Sequence, residues 1–319
     1  MDKYLLSIII PHYNIPQLLS KLIDSIPKKS DIQIIVVDDN STEDIEELKD
    51  VIENNIDRNI EFYKNYTGKN SPGTCRNIGI EHAKGKWILF ADADDFYVDG
   101  WYEKLKTVFD SDNEIVYYKP TSINVDTGVL DTRHILMAKA VEKFCNEPNR
   151  KNELGMKYYS TSACTMLCNR SFLNEKSLRF GNTMRGEDTM FTVMCGQAVK
   201  KFACLNEEIY CITKRAGSIT TKTDMRLFDE HMRVKIWKFG FLYKNLNDSE
   251  IPLLELEYAG LKIWREAKSV GCDRNTMKSY REQMKKAGVP MISWRHFNLF
   301  TLIKQATKSI LVNLKERVS

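Results

Sequence analysis

The chain has 319 residues, 43% of them hydrophobic, enough to bury a sizeable core and slightly more than one average domain needs. Its 47 Lys and Arg against 43 Asp and Glu leave a net charge of +4, too small a surplus over this length to point to nucleic acid. Its apolar runs are strand-length, far short of the roughly 20 residues a membrane-spanning helix needs.

Residues 5–10 form a continuous β-branched apolar run ending at Pro11, and residues 32–37 form a second that ends in Asp38-Asp39. Strands of this kind are buried on both faces. Between them, Leu18, Leu19, Leu22, Ile23 and Ile26 recur at helical spacing before Pro27, which predicts a strand–helix–strand crossover and a parallel sheet. Ser41-Thr42 reads as a cap opening an acidic-fronted helix through Ile52. A short strand is expected at 61–63, a helix from Pro72 to Ala83 closed by Gly85, and a buried strand over 86–90. Further along come a helix at 101–110, a strand at 115–118, a helix near 136–144, strand material near 162–168, a helix at 189–198 and a last strand at 208–213. From residue 225 onward the pattern turns to charged amphipathic helices, which sets the expected domains at 1–224 and 225–319. The eight cysteines show no repeated short spacing, and Cys164 and Cys168 lack a second Cys/His pair at zinc-finger separation. No basic-then-apolar leader precedes the first strand, so reduced thiols in a cytoplasmic protein are expected.

Three carboxylates follow the strand at 86–90, in Ala91-Asp92-Ala93-Asp94-Asp95. On an extended segment residues two apart face the same way, so Asp92 and Asp94 are expected to share one point in space while Asp95 looks elsewhere. Like charges this close suit a hard divalent cation, Mg²⁺ or Mn²⁺, shared with a diphosphate; an acidic turn capping the next helix explains the pattern equally well. Asp39 sits at the end of another predicted parallel strand, where open α/β sheets bind ligands, with Pro11 and Tyr13 as a wall behind a nucleobase. Asp38 or Asp39 is otherwise a helix-capping residue. Ser71-Pro72-Gly73-Thr74-Cys75-Arg76 is a glycine-containing turn entering a helix, with a guanidinium placed for phosphate oxygens or for solvent. Glu187 and Asp188 stand at a helix start, where acids complement the helix dipole.

Taken in order, "SIIIPHYN", "VVDDNSTED", "SPGTCRNIGI", "ILFADADD" and "RFGNTMRGEDTMF" resemble the inverting family-2 glycosyltransferases over residues 4–222. The resemblance implies an α/β GT-A fold, a Rossmann-like, mostly parallel sheet flanked by helices, followed here by a C-terminal helical extension. It implies Asp92, Asp94 and Asp95 at the metal, Asp92 also near the ribose, Asp39 at the nucleobase and Arg76 near the diphosphate. It further implies Asp188 as general base, with Glu187 orienting the acceptor or supporting the base. A carboxylate is already ionised at neutral pH and ready to take the acceptor's proton. Where the family carries a histidine-bearing motif, this chain has Thr213-Lys214-Arg215, so Lys214 and Arg215 are expected to neutralise the leaving diphosphate or to form a solvated basic turn.

The implied reaction moves a sugar from a nucleotide diphosphate sugar, UDP-sugar favoured, to a saccharide or lipid-linked envelope glycan. Sugar-phosphate nucleotidyl transfer is the alternative, but its glycine-rich basic loop is missing where Pro11-His12-Tyr13-Asn14 stands. A non-catalytic nucleotide-sugar binder is a third reading, opposed by Asp92, Asp94 and Asp188. The stretch from Trp294 to Val318 reads as a basic amphipathic helix, suited to peripheral contact with an anionic membrane or to packing on the protein.

Overall fold

The computed structural model describes residues 3–159, 162–215, 224–297, 299 and 303. In chain order it runs β1 (Tyr4–His12), α1 (Pro16–Asp24), β2 (Ile32–Asp38), α2 (Ile45–Glu53), β3 (Ile60–Lys64), α3 (Pro72–His82), β4 (Gly85–Phe90) and β5 (Phe96–Tyr97). Then follow α4 (Trp101–Lys106), β6 (Ile115–Asn124), β7 (Val129–Leu130), α5 (Ile135–Asn146), α6 (Arg150–Tyr159) and β8 (Met166–Asn169). After α7 (Arg170–Glu175), α8 (Glu187–Ala198) and β9 (Phe202–Lys214), helices α9 (Met225–Asn245), α10 (Ala259–Ser269) and α11 (Arg274–Lys286) complete the order.

The strands form one sheet in the order β3-β2-β1-β4-β8-β6-β9-β5, with β7 beside β6. β3, β2, β1 and β4 run parallel, β8 is antiparallel to both neighbours, and β9 pairs parallel with β6. Leu6, Ile8, Ile9 and Ile10 of β1, Ile35, Val36 and Val37 of β2 and Trp87 to Phe90 of β4 are inaccessible to solvent, as their continuous apolar runs require. Because β1, β2 and β4 are parallel, their carboxyl ends emerge along one edge, where His12 lies opposite Asp38 and the Ala91 N–H donates to the Ile9 carbonyl at 3.0 Å. That edge positions the site.

Several boundaries differ from the sequence expectation for physical reasons. Gly85 does not close α3; Ala83 does, and Gly85 opens β4 where β1 comes so near that an added Cβ would lie 2.6 Å from the Ser7 nitrogen. Ser41 does not cap α2. Its hydroxyl donates to Asp38 and accepts from the Asn14 N–H, while the helix starts after Asp44 in the left-handed region at φ 54°. β6 and β9 are much longer than expected, because a register shift around Lys119 and Pro120 lets the ladder pass a proline that has no N–H to offer. α6 and α7 were not anticipated.

The chain divides into two compact units between Glu230 and His231. The second contains α10 and α11 with 3-10 turns at Pro252–Leu254, Leu256–Tyr258 and Trp294–His296. Among the described residues no helix is long and apolar enough to cross a membrane. Residues 216–220 and most of the expected terminal helix lie outside the described residues.

Candidate active site

At the end of β1, His12 is buried and its ring is held from both sides. The Ile15 N–H donates to Nε2 at 3.3 Å, so Nε2 is the bare nitrogen and Nδ1 carries the proton that it gives to Asp38 Oδ1 at 3.0 Å. Burial pushes the Asp38 carboxyl up, but hydrogen bonds from His12 and Ser41 outweigh it and hold the group below the usual carboxylate range. Asp38 is thereby committed to shaping the strand end. Asp39, next along the chain, is 9% exposed; its carboxylate accepts from Asn65 Nδ2 at 2.6 Å and its N–H donates to the His12 carbonyl at 2.8 Å. Tyr13 projects, 52% exposed, with Pro11 half-buried behind it. His12 and Asn65, which orient the two aspartates, carried no sequence signal of their own.

Beyond β4 the acidic motif is a turn and not an extended segment: the Asp95 N–H donates to the Asp92 carbonyl at 3.0 Å. The alternation that would pair Asp92 with Asp94 therefore does not govern it, and each carboxylate has its own partner. Asp92 meets Arg76 Nη2 at 2.5 Å, and its N–H donates to the Tyr210 hydroxyl at 2.8 Å. Asp94 faces Arg215 Nε at 3.3 Å; burial and then Asp92 push its carboxyl up, against the pull of Arg215. Asp95 turns inward, 5% exposed, and accepts from the Thr213 N–H at 2.7 Å, so it anchors β9. Burial, Asp92 and Asp94 raise it well above the ordinary range. Lys214 points away to Asp131 at 3.2 Å, which leaves Arg215 as the basic residue of that segment beside Asp94.

Arg76 is where the structure departs most from expectation. α3 begins cleanly, with Pro72 in its first turn and the Ser71 hydroxyl accepting the Thr74 N–H at 3.1 Å, and it carries Arg76 into the interior at 2% exposure. There the guanidinium is not free for a diphosphate. Nη2 takes Asp92, while Nη1 reaches Glu187 Oε1 at 3.0 Å and Asp188 Oδ1 at 3.2 Å, with the Phe180 ring 5.2 Å away. Asn77, one residue on, brackets Phe180 through both its backbone groups, at 3.0 and 2.8 Å, and so fixes the segment leading to α8. Gly186, at φ 89°, then turns the chain so that Glu187 and Asp188 open α8 beside Arg76.

Three carboxylates around one guanidinium leave an excess of negative charge. Burial pushes Asp188 up to about 7, with Arg76 pulling it down and Glu187 and Asp92 adding to the rise. The rise bears directly on the expectation of a fully ionised base, because burial favours the protonated form of Asp188. Its Oδ1 meets Arg76 as an ion pair but accepts no aligned hydrogen bond.

Among the described residues no three His, Cys, Asp or Glu side chains form a closed metal cage. Asp92 and Asp94, with 40% and 24% of their side chains exposed, still fit a hard cation that takes its remaining ligands from a diphosphate and water.

Residues 7–176, more than half of the chain, match the family described as glycosyl transferase family 2. The chain belongs to that family. Among curated family-2 relatives, Staphylococcus aureus TarS, a poly(ribitol-phosphate) beta-N-acetylglucosaminyltransferase, is 23% identical over 218 residues, which is 66% of this chain and 36% of TarS. A poly(ribitol-phosphate) beta-glucosyltransferase of Bacillus spizizenii is 29% identical over 223 residues, 66% of this chain and 33% of that protein. The chain thus spans about a third of the length of these relatives. The crystal structure of S. aureus TarS 1–349 in complex with UDP-GlcNAc superimposes with a TM-score of 0.69 at 20% identity, covering 90% of this chain and 82% of that one. A mannosyltransferase of Pyrobaculum calidifontis in complex with GDP-Man and Mn²⁺ follows at 0.52 and 14% identity, covering 96% and 79%. These likenesses establish the GT-A fold of this family-2 chain.

Proposed function

We infer that this chain is an inverting glycosyltransferase that moves a sugar from a UDP-sugar to a hydroxyl of a phosphate-containing or other envelope glycan. The observation that carries the reading is the Arg76 bridge, which brings Asp92, from the strand ends expected to hold the donor, within one guanidinium of Asp188, the acceptor-side acid. The donor and acceptor chemistry named for the family-2 relatives above supports UDP and a polyol-phosphate acceptor.

The acceptor oxygen attacks the anomeric carbon on the face opposite the diphosphate. The carbon–oxygen bond to the diphosphate breaks with its electron pair leaving on UDP, and the acceptor proton passes to Asp188. The configuration inverts. Asp39 accepts hydrogen bonds from the nucleobase, Pro11 and Tyr13 wall it, and Arg215 is the cation nearest the departing diphosphate. Asp94 and Asp92 would hold Mg²⁺ or Mn²⁺, which when bound would add further charge neutralisation there. Glu187 and Arg76 hold Asp188 in place.

Incubation with UDP-sugars and Mn²⁺ is expected to release UDP slowly even without acceptor, and Asp94→Ala is expected to weaken Mn²⁺-dependent UDP binding about tenfold or more by calorimetry. Wild-type affinity in that variant would remove Asp94 from the donor site.

The raised Asp188 also sets a pH dependence. Below about 7 the base is protonated, so kcat/KM is expected to fall tenfold per pH unit and to level off above it. The stability sign is the opposite. The folded state retains a proton that the unfolded chain has already lost, so from about pH 4, the unfolded value, to about 7 this group makes stability decline as pH rises. A pH–rate profile with no inflection between 6 and 8 would sink the assignment.

A further inference from the structure

Charge is unevenly divided along this chain. Residues 231–319 carry seventeen Lys and Arg against eight Asp and Glu, whereas residues 1–230 carry thirty against thirty-five. Much of the excess gathers on one helix. Arg274, Lys278, Arg281 and Lys285 recur at spacings of four, three and four, which places them on one face of α11 over about 16 Å. All four are exposed, and with Lys268 none has an ion-pair partner among the described residues.

The stripe separates two hollows. One, of about 600 Å³, has Met284, Val289, Pro290 and Met291 for its floor, with Lys285 at its rim. The other, of about 400 Å³, has Trp264 and Met277 below Lys268 and Arg274. Lys278 and Arg281 border both, and Glu282 is the sole acid lining either. Apolar floors with cationic rims, repeated along a helix, match a ligand that alternates carbon-rich units with anions.

We propose that this trough tethers the acceptor, a linear chain in which phosphodiesters alternate with polyol or sugar units. The proposal rests on the transferase reading for its acceptor chemistry but not for the binding itself. Phosphodiesters pair with the rim while polyol carbons lie against the floors, and holding the polymer by the second unit raises its effective concentration for transfer. The remaining chain is a poor occupant by charge, because residues 298–319 bring four basic residues and one acid to a basic surface. A bilayer offers a flat face to paired concavities. Single-stranded nucleic acid is held by successive aromatic platforms, and Trp264 is the one aromatic in the lining.

The test is fluorescence anisotropy of a labelled ribitol-phosphate octamer on the full chain at two salt concentrations. The comparison is Lys278→Glu/Arg281→Glu, with Lys143→Glu/Lys151→Glu as an equal charge change on the exposed surface of the first unit. Wild-type binding should weaken with salt, the trough variant should bind about tenfold or more weakly, and the control should stay within about twofold. Thermal melts and UDP release without acceptor should match wild type in both variants. Undiminished binding by the trough variant, or equal loss in both, overturns the proposal. So does equally tight, trough-dependent binding of phosphatidylglycerol vesicles or of oligothymidylate, which would assign the surface to a membrane or to nucleic acid. UDP calorimetry on the same samples keeps the two readings apart, since failure to bind UDP sinks the transferase reading while octamer binding still stands.

Discussion

Asp188→Asn is expected to lower sugar transfer about a thousandfold at saturating donor while leaving UDP affinity within about twofold. The amide has the shape of the carboxyl but cannot take the acceptor's proton. The change also removes one of three negative charges crowding Arg76, and the guanidinium keeps Asp92 and Glu187, so the fold is retained. The residual rate should no longer show the inflection near pH 7, because that inflection belongs to the group removed. Turnover above about a tenth of wild type, or an unchanged pH profile, would transfer the role of base to another residue.

Arg76→Ala is expected to be the most destabilising single change in the catalytic unit, at about 3–5 kcal/mol in urea unfolding. The penalty comes from what remains: Asp92, Glu187 and Asp188 would face one another without their shared counter-ion. Protonation relieves such a cluster, so the loss should be larger at pH 8 than at pH 5. Arg76→Lys should recover only part of it, since an ammonium cannot span the positions that the two ends of the guanidinium reach. A loss under about 0.5 kcal/mol at pH 8 would mean that water or rearranged side chains compensate the carboxylates.

How far the sequence carried depends on the range of the forces involved. The first four strands of the sheet and the start of α3 were legible because they rest on local terms: unbroken apolar runs for β1, β2 and β4, and Ser71 before Pro72 for the cap. Ser41 shows the limit. It has the chemistry of a helix cap, but its oxygen accepts the N–H of Asn14, 27 residues earlier, in place of a helix N–H, and the helix begins elsewhere. Pro120 hid the length of β6 because its pairing is rescued by a shift in register that depends on β9.

The same division runs through the site. Composition and motif order by themselves determined that carboxylates stand at the ends of buried parallel strands and at the first turn of α8, since strand ends and helix starts are local events. Only the tertiary structure decided which counter-ion each one meets. Glu187 lies 111 residues from Arg76, and the pair forms because folding buries both, where a charge without a partner is costly. Electrostatic partnership acts through space and grows with burial, so the bridge at Arg76 is not written in the neighbours of either residue, and of the groups that shift Asp188 only Glu187 adjoins it in sequence.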